Sequence, residues 1–215
     1  MIKLIALIVI FVLIFLYVPQ VQRAALAGLV LHDLIPRFNS KWLGYFSKNV
    51  IEEHPTIRIG DLAMETNLFR LNDKERHSAI VYVHGVNDLG KDDPRLINLA
   101  QTFTRGGYAV IIPGLPDMSP GKLNPQVIPE IEESIKYISG RKDIVDDKKI
   151  GVLGFSIGSG PSLIAVSDIS AQVPISFLIS FGGYWDLSEV IKFATTGHFT
   201  YQGQDHFIEP DSQSR

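Results

Sequence analysis

The chain has 215 residues, 46% of them hydrophobic, with 12 phenylalanines and a net charge of −3. That length suits one sizeable domain with an appendage, and the apolar content excludes wholesale disorder. The lack of cysteine excludes disulfides, thiolate metal sites and a cysteine nucleophile, and no basic stripe interleaved with aromatics offers a nucleic-acid surface.

The N-terminal "MIKLIALIVIFVLIFLYVPQVQR" carries one charge, Lys3, before an unbroken apolar run from Leu4 to Val18. Ile2 to Val18 is seventeen residues, the lower edge of what spans a hydrocarbon core of about 30 Å. Tyr17, Pro19 and Gln20 mark its outer end. An uncleaved anchor over residues 1–20 is expected. A signal peptide cut near Ala25-Leu26-Ala27 is the rival, but Arg23 intervenes and the run exceeds a usual signal core. Sidedness stays open, because Arg23, Arg37, Lys41 and Lys48 point one way and the short N-terminal tail the other. Residues 21–56 read as an amphipathic or linker segment. The apolar and aromatic residues of 24–46 fit either a hairpin lying on the bilayer, with membrane lipid as partner, or ordinary packing on the following domain.

From about Ile57 short apolar runs alternate with helical periods. "TNLFRL" (66–71) reads as an antiparallel edge strand, and "SAIVYVHG" (78–85) as a strand buried on both faces. "DDPRLINLAQTFTRGG" reads as an amphipathic helix with Pro94 in its first turn and Asp92 and Asp93 at its positive end. "YAVIIPG" (108–114) is the next buried strand, and "NPQVIPEIEESIKYISGR" the next helix. "KKIGVLGFS" is a strand, "IGSGPSLIAVSDI" a helix, and "ISFLISFGG" (175–183) a strand. The polar tail after "YWDLSEVIKFATTG" does not read as buried strand. The alternation predicts an α/β domain over 57–215, a mainly parallel sheet with helices on both faces.

Gly154-Phe155-Ser156-Ile157-Gly158 falls where that strand meets its helix. A serine on so tight a turn projects its Oγ above the sheet edge, provided the residues two positions away are small. The next amide N–H, that of Ile157, then points from a helix N-terminus toward a developing oxyanion. Upstream, "VYVHGVND" puts His84 and Gly85 at the end of another strand.

In their order, "VHG", "GYAVIIPGLP" and "GVLGFSIGSG" resemble the α/β-hydrolase superfamily, specifically its esterase, lipase and dienelactone-hydrolase-like branches, over roughly residues 57–195. The resemblance implies Ser156 as nucleophile, Gly154 and Gly158 as the small neighbours, and Val86 as the second oxyanion donor. Gly85 would let the backbone approach, and His84 would brace the loop from beneath rather than act as a base. It implies an ester or related acyl substrate and neither metal nor cofactor. The family's acid and histidine follow later, in strand–helix units needing on the order of 60–100 further residues. Only about thirty remain here. Asp186, His198 and His206 come in the right order, but Asp186 reads as a helix cap and the histidines as tail residues. The expectation is therefore a membrane-anchored serine hydrolase whose acid and histidine lie beyond the chain end, this fragment alone being inactive. The alternative is a non-catalytic, truncated hydrolase fold used for binding.

Overall fold

The computed structural model of the protein describes residues 17–35, 42–119, 122–184 and 186–209. Its elements open with helices α1 (Pro19–Leu34) and α2 (Leu43–Phe46) and strands β1 (Val50–Glu53), β2 (Thr56–Ile59), β3 (Leu62–Leu71) and β4 (His77–Val83). There follow α3 (Pro94–Arg105), β5 (Tyr108–Pro113), the short hairpin β6 (Met118–Ser119) and β7 (Lys122–Leu123), and α4 (Val127–Gly140). β8 (Val145–Phe155), α5 (Ser159–Ile169), β9 (Ile175–Phe181), α6 (Leu187–Thr196), β10 (His198–Tyr201) and β11 (Gln204–Phe207) complete them.

Alternation along the central strands divides the core in two. Ala79, Val81 and Val83 of β4, Ala109 and Ile111 of β5, and Ile150 and Val152 of β8 form one cluster with Ile131, Ile135 and Ile138 of α4 and Ala165 and Ile169 of α5. Ile80, Tyr82, Val110, Ile112 and Leu153 face the other way, toward Ala100 of α3 and its neighbours Leu96, Ile97 and Phe103. Strands apolar on both faces need cover on both, and the helices supply it.

Among the described residues the sheet has seven strands in the order β1-β3-β5-β4-β8-β9, with β2 also beside β3. β5, β4, β8 and β9 run parallel, and β1, β2 and β3 form an antiparallel flank. β3 is antiparallel as expected, but it is not an edge. It runs ten residues from Leu62, and β1 and β2 cover its outer side. Those outer strands carry Glu52, Glu53 and Arg58 at exposed or half-exposed positions, which hides their pairing in the sequence. The sheet thus takes in residues upstream of 57.

β5 lies on one side of β4 and β8 on the other. The chain leaves β4 toward α3 on one face and leaves β8 toward α5 on the opposite face. The loops at the two carboxyl ends therefore part, and a crevice opens where the strand order reverses.

At the N-terminal end, Asp33 is buried and its carboxylate accepts from the Trp42 and Leu43 amides at 2.9 Å each, capping α2. Val30 lies against Gly106 at the end of α3, so α1 packs on the domain. Its outer side, with α2, leaves Leu26, Leu31, Ile35, Trp42, Tyr45 and Phe46 exposed. Residues 1–16, where most of the expected anchor falls, lie outside the described residues. Among the described residues no helix is long and apolar enough to cross a membrane.

The polar tail contains a hairpin the sequence reading does not anticipate. β10 and β11 join through Gln202 and Gly203, both left-handed (φ +51° and +77°), which is the backbone a two-residue hairpin turn requires.

One of the buried ionisable groups lies on α4. Glu130 of α4 is 1% exposed, its Oε1 has no hydrogen-bond partner among the described residues, and its Oε2 accepts from the Asp117 amide at 3.4 Å. Burial and the neighbouring Asp117 carboxylate push its pKa up to about 7, with Lys122 opposing. The folded state then holds a proton that the unfolded chain releases. This group's contribution is fully present below about pH 4.5 and falls by on the order of 3 kcal/mol as pH rises to 7. Urea midpoints at pH 5 and pH 8 should differ in that direction. Glu130→Gln should remove most of the difference by raising the pH 8 value.

Candidate active site

β8 ends in extended backbone at Phe155, and Ser156 then turns to φ +50° before a short 3₁₀ turn, Ser156–Gly158, leads into α5. A left-handed conformation costs a serine roughly 1–2 kcal/mol, and here it throws an exposed side chain clear of the sheet. Ile157 is the second residue of that turn, so its N–H has no partner within the helix.

The flanking glycines are required by contact. A Cβ at Gly154 would stand 2.9 Å from Ser162 Oγ and 3.0 Å from Ser159 Cα. One at Gly158 would run into the His84 carbonyl oxygen and lie 3.0 Å from Val83 Cγ1. The helix and the neighbouring strand end close over this turn, as the small-neighbour argument requires.

The loop after β4 meets the same turn. A Cβ at Gly85 would lie 3.0 Å from Ser156 Cβ and 3.6 Å from its Oγ. Val86 follows, and Val86 and Ile157 line one cavity of about 420 Å³ together with Leu187 and Ile191 of α6. Ser156, Gly85, Val86 and Ile157 are thus brought together in the crevice.

His84 is 1% exposed, with Nδ1 2.7 Å from the Gly85 carbonyl. Burial holds its pKa below the ordinary imidazole value, against smaller opposing pulls from the Gly85 and Pro113 carbonyls. A neutral ring tied to its own loop has the geometry of a brace. Its Nε2 is buried without a partner among the described residues, and no hydrogen bond joins it to Ser156.

The three later residues do not converge on the serine. Asp186 caps α6, its Oδ1 accepting from the Ser188 and Glu189 amides at 2.7 and 3.4 Å. His198 Nδ1 lies 3.2 Å from Asp205 Oδ2 in the exposed hairpin, and His206 stacks on Phe199 with ring centroids 5.3 Å apart. Among the described residues no side chain hydrogen-bonds to Ser156 Oγ.

Several supporting groups escape the sequence reading. Ser159 Oγ donates to the Gly154 carbonyl at 2.9 Å, Ser162 Oγ to that of Gly158 at 2.7 Å, and Tyr184 Oη to that of Ile157 at 3.3 Å. Beneath the turn, Phe155 packs between Tyr82 and Phe181, each ring centroid 5.1 Å away. The serines of "GSGPS" were visible as a helix start, but nothing in that string distinguishes a brace from a cap.

No protein-family model matches the chain, and no curated protein sequence matches it significantly. Solved structures do resemble it. The esterase Est22 superposes with a TM-score of 0.53 at 15% identity, over 80% of this chain and 53% of that one. A bacterial heroin esterase gives 0.52 at 17%, over 77% and 52%. The dienelactone hydrolase of Anabaena variabilis gives 0.50 at 15%, over 61% and 62%. The fold is of the α/β-hydrolase kind. The chain spans about half the length of the two esterases and under two thirds of the dienelactone hydrolase. At such identities the α/β-hydrolase likeness is one of backbone architecture, and chemistry has to be argued from the residues in the crevice.

Proposed function

We propose that the chain belongs to a serine hydrolase acting on carboxylic esters or related acyl substrates. Ser156 Oγ attacks the acyl carbon, and the amides of Val86 and Ile157 receive the oxyanion. Collapse expels the alcohol, and water then releases the acid from the acyl-serine. A base must take the serine proton, and among the described residues none is in contact with it, so the acid and histidine come from outside them. The observation that carries this reading is the left-handed Ser156 held between two glycines that tolerate no side chain. That the structural neighbours named above are called esterases and a hydrolase supports it by analogy. The test is hydrolysis of p-nitrophenyl butyrate by the full protein extracted from its membrane, against Ser156→Ala.

The same proposal holds the enzyme at a membrane through residues 1–20 as a single-pass anchor, with 57–215 carrying the hydrolase domain. The exposed Tyr17 near the end of the apolar run, and Leu26, Leu31, Trp42 and Tyr45 after it, support a bilayer beside α1. Sodium carbonate extraction should leave the protein in the pellet; release into the supernatant would remove the anchor from the proposal.

A second reading, a hydrolase fold kept for binding alone, draws on one observation: the absence of a described partner for Ser156 Oγ. It predicts that Ser156→Ala changes no turnover at all.

A further inference from the structure

The apolar walls beside the serine, which itself lines neither cavity, point to a substrate class, an inference that rests on Ser156 being the nucleophile. The cavity bordered by Val86 and Ile157 has a second one, of about 510 Å³, beside it, and Leu123 and Leu187 stand on the walls of both. The second runs from there over Pro125 and Ile128 at the start of α4 and along Leu163 and Ile164 of α5. Each is within the range of small-molecule sites, about 300–1,000 Å³.

Among the described residues charge is absent from this lining with one exception, Lys122, and that one is neutralised. Its Nζ lies 2.7 Å from Asp117 Oδ1 and donates to the Pro116 carbonyl at 3.2 Å. The polar side chains of the second cavity are occupied as well. Asn124 Oδ1 accepts from the Gln126 amide at 3.1 Å, and Tyr184 Oη donates to the Ile157 carbonyl. An anionic group placed here would find no unpaired cation, and a sugar would leave most of its hydroxyls without partners, at a cost in free energy. A hydrocarbon chain meets neither obstacle. It would cover Leu163 and Ile164, whose side chains stand 47% and 48% exposed.

We infer that the two cavities form one trench for an uncharged hydrocarbon acyl chain, which starts at the Ser156 carbonyl position and lies between the β6–β7 hairpin, α6 and the outer face of α5. Each buried methylene adds up to about fourfold to binding, so preference should rise with chain length until the trench is filled.

The test uses the full chain in detergent and two probes. One is the methyl ester of a decanoic acid carrying a terminal diazirine, photolysed and mapped by peptide mass spectrometry. The other is a series of p-nitrophenyl methyl-, butyl- and octylphosphonates, followed by nitrophenolate release and by adduct mass at Ser156. The expected photoadducts fall within residues 122–128, 160–164 and 187–191. They should drop by about tenfold in Leu163→Asp, a surface change on α5 that puts a charge on the trench wall. Phosphonylation should quicken from methyl to octyl, and that gradient should flatten in Leu163→Asp. Photoadducts confined to residues 1–35, or equal rates across the phosphonates, would overturn the trench with the serine reading intact. Trench photoadducts without any phosphonylation of Ser156 would instead remove the nucleophile and leave a site that binds apolar chains.

Discussion

Gly158→Val should cost about 3 kcal/mol or more and leave most of the protein unfolded or aggregated on expression. The new Cβ would be driven into the His84 carbonyl oxygen, and its branches toward Val83. Neither can step aside. The His84 carbonyl belongs to the loop leaving β4, whose last residues pair with β8 through Val83 and Gly154. Overpacking a fixed site costs 1–3 kcal/mol when side chains can shift, and more when the opposing atom is backbone. Against a total stability of about 5–15 kcal/mol, such a loss is most of the margin. Gly154→Ala should behave similarly but more mildly, because one of its three near contacts is the movable hydroxyl of Ser162. The control is Gly44→Ala in α2, where a Cβ meets nothing within 4 Å and helix propensity favours alanine. Urea midpoints of the three variants separate a packing requirement from a general intolerance of glycine replacement.

Replacing Ser156 separates the two properties that meet at that residue. Ser156→Ala removes the proposed nucleophile and leaves the left-handed backbone with its Cβ, so stability should hardly change. Ester turnover should fall about a thousandfold or more, because the oxyanion donors and the substrate site alone retain only a small part of the rate. Ser156→Gly should lose activity equally but gain about 1 kcal/mol, since glycine adopts φ +50° without the clash that serine bears. Activity lost and stability gained in one substitution is the signature of strain held at a functional position. Equal stability of the serine, alanine and glycine forms would mean that the turn stores no strain.

The parts of the fold legible in the sequence are those fixed by local chemistry. The runs at 79–83 and 109–112 are short and apolar on consecutive residues, as a strand covered on both faces is, and both are central strands. Asp93 and Asp186 precede their helices and cap them. Gly154 and Gly158 have the contacts that the serine turn demands. What escaped depends on distant pairing. β1 and β2 are held by β3 across a reversal of direction, and their half-polar sequence carries little periodic signal. Leu123 and Leu187, more than sixty residues apart, share a wall only after the hairpin, α4 and α6 are in place. Glu130 sits among the helical isoleucines as if on a solvated stripe, and nothing local reveals that its carboxyl meets Asp117 in the interior. The later histidines are a different matter. His198 and His206 are occupied with Asp205 and Phe199, so their order along the chain does not make a triad, in keeping with their reading as tail residues.

The central claim is that Ser156 is a nucleophile, and the most direct measurement is the site of covalent capture. The full-length protein, treated with a fluorophosphonate and digested with trypsin, should carry the adduct on the peptide between Lys149 and Lys192. Fragmentation should place it on Ser156, and Ser156→Ala should abolish it. A protein that takes no adduct, or one still labelled after Ser156→Ala, would contradict the claim.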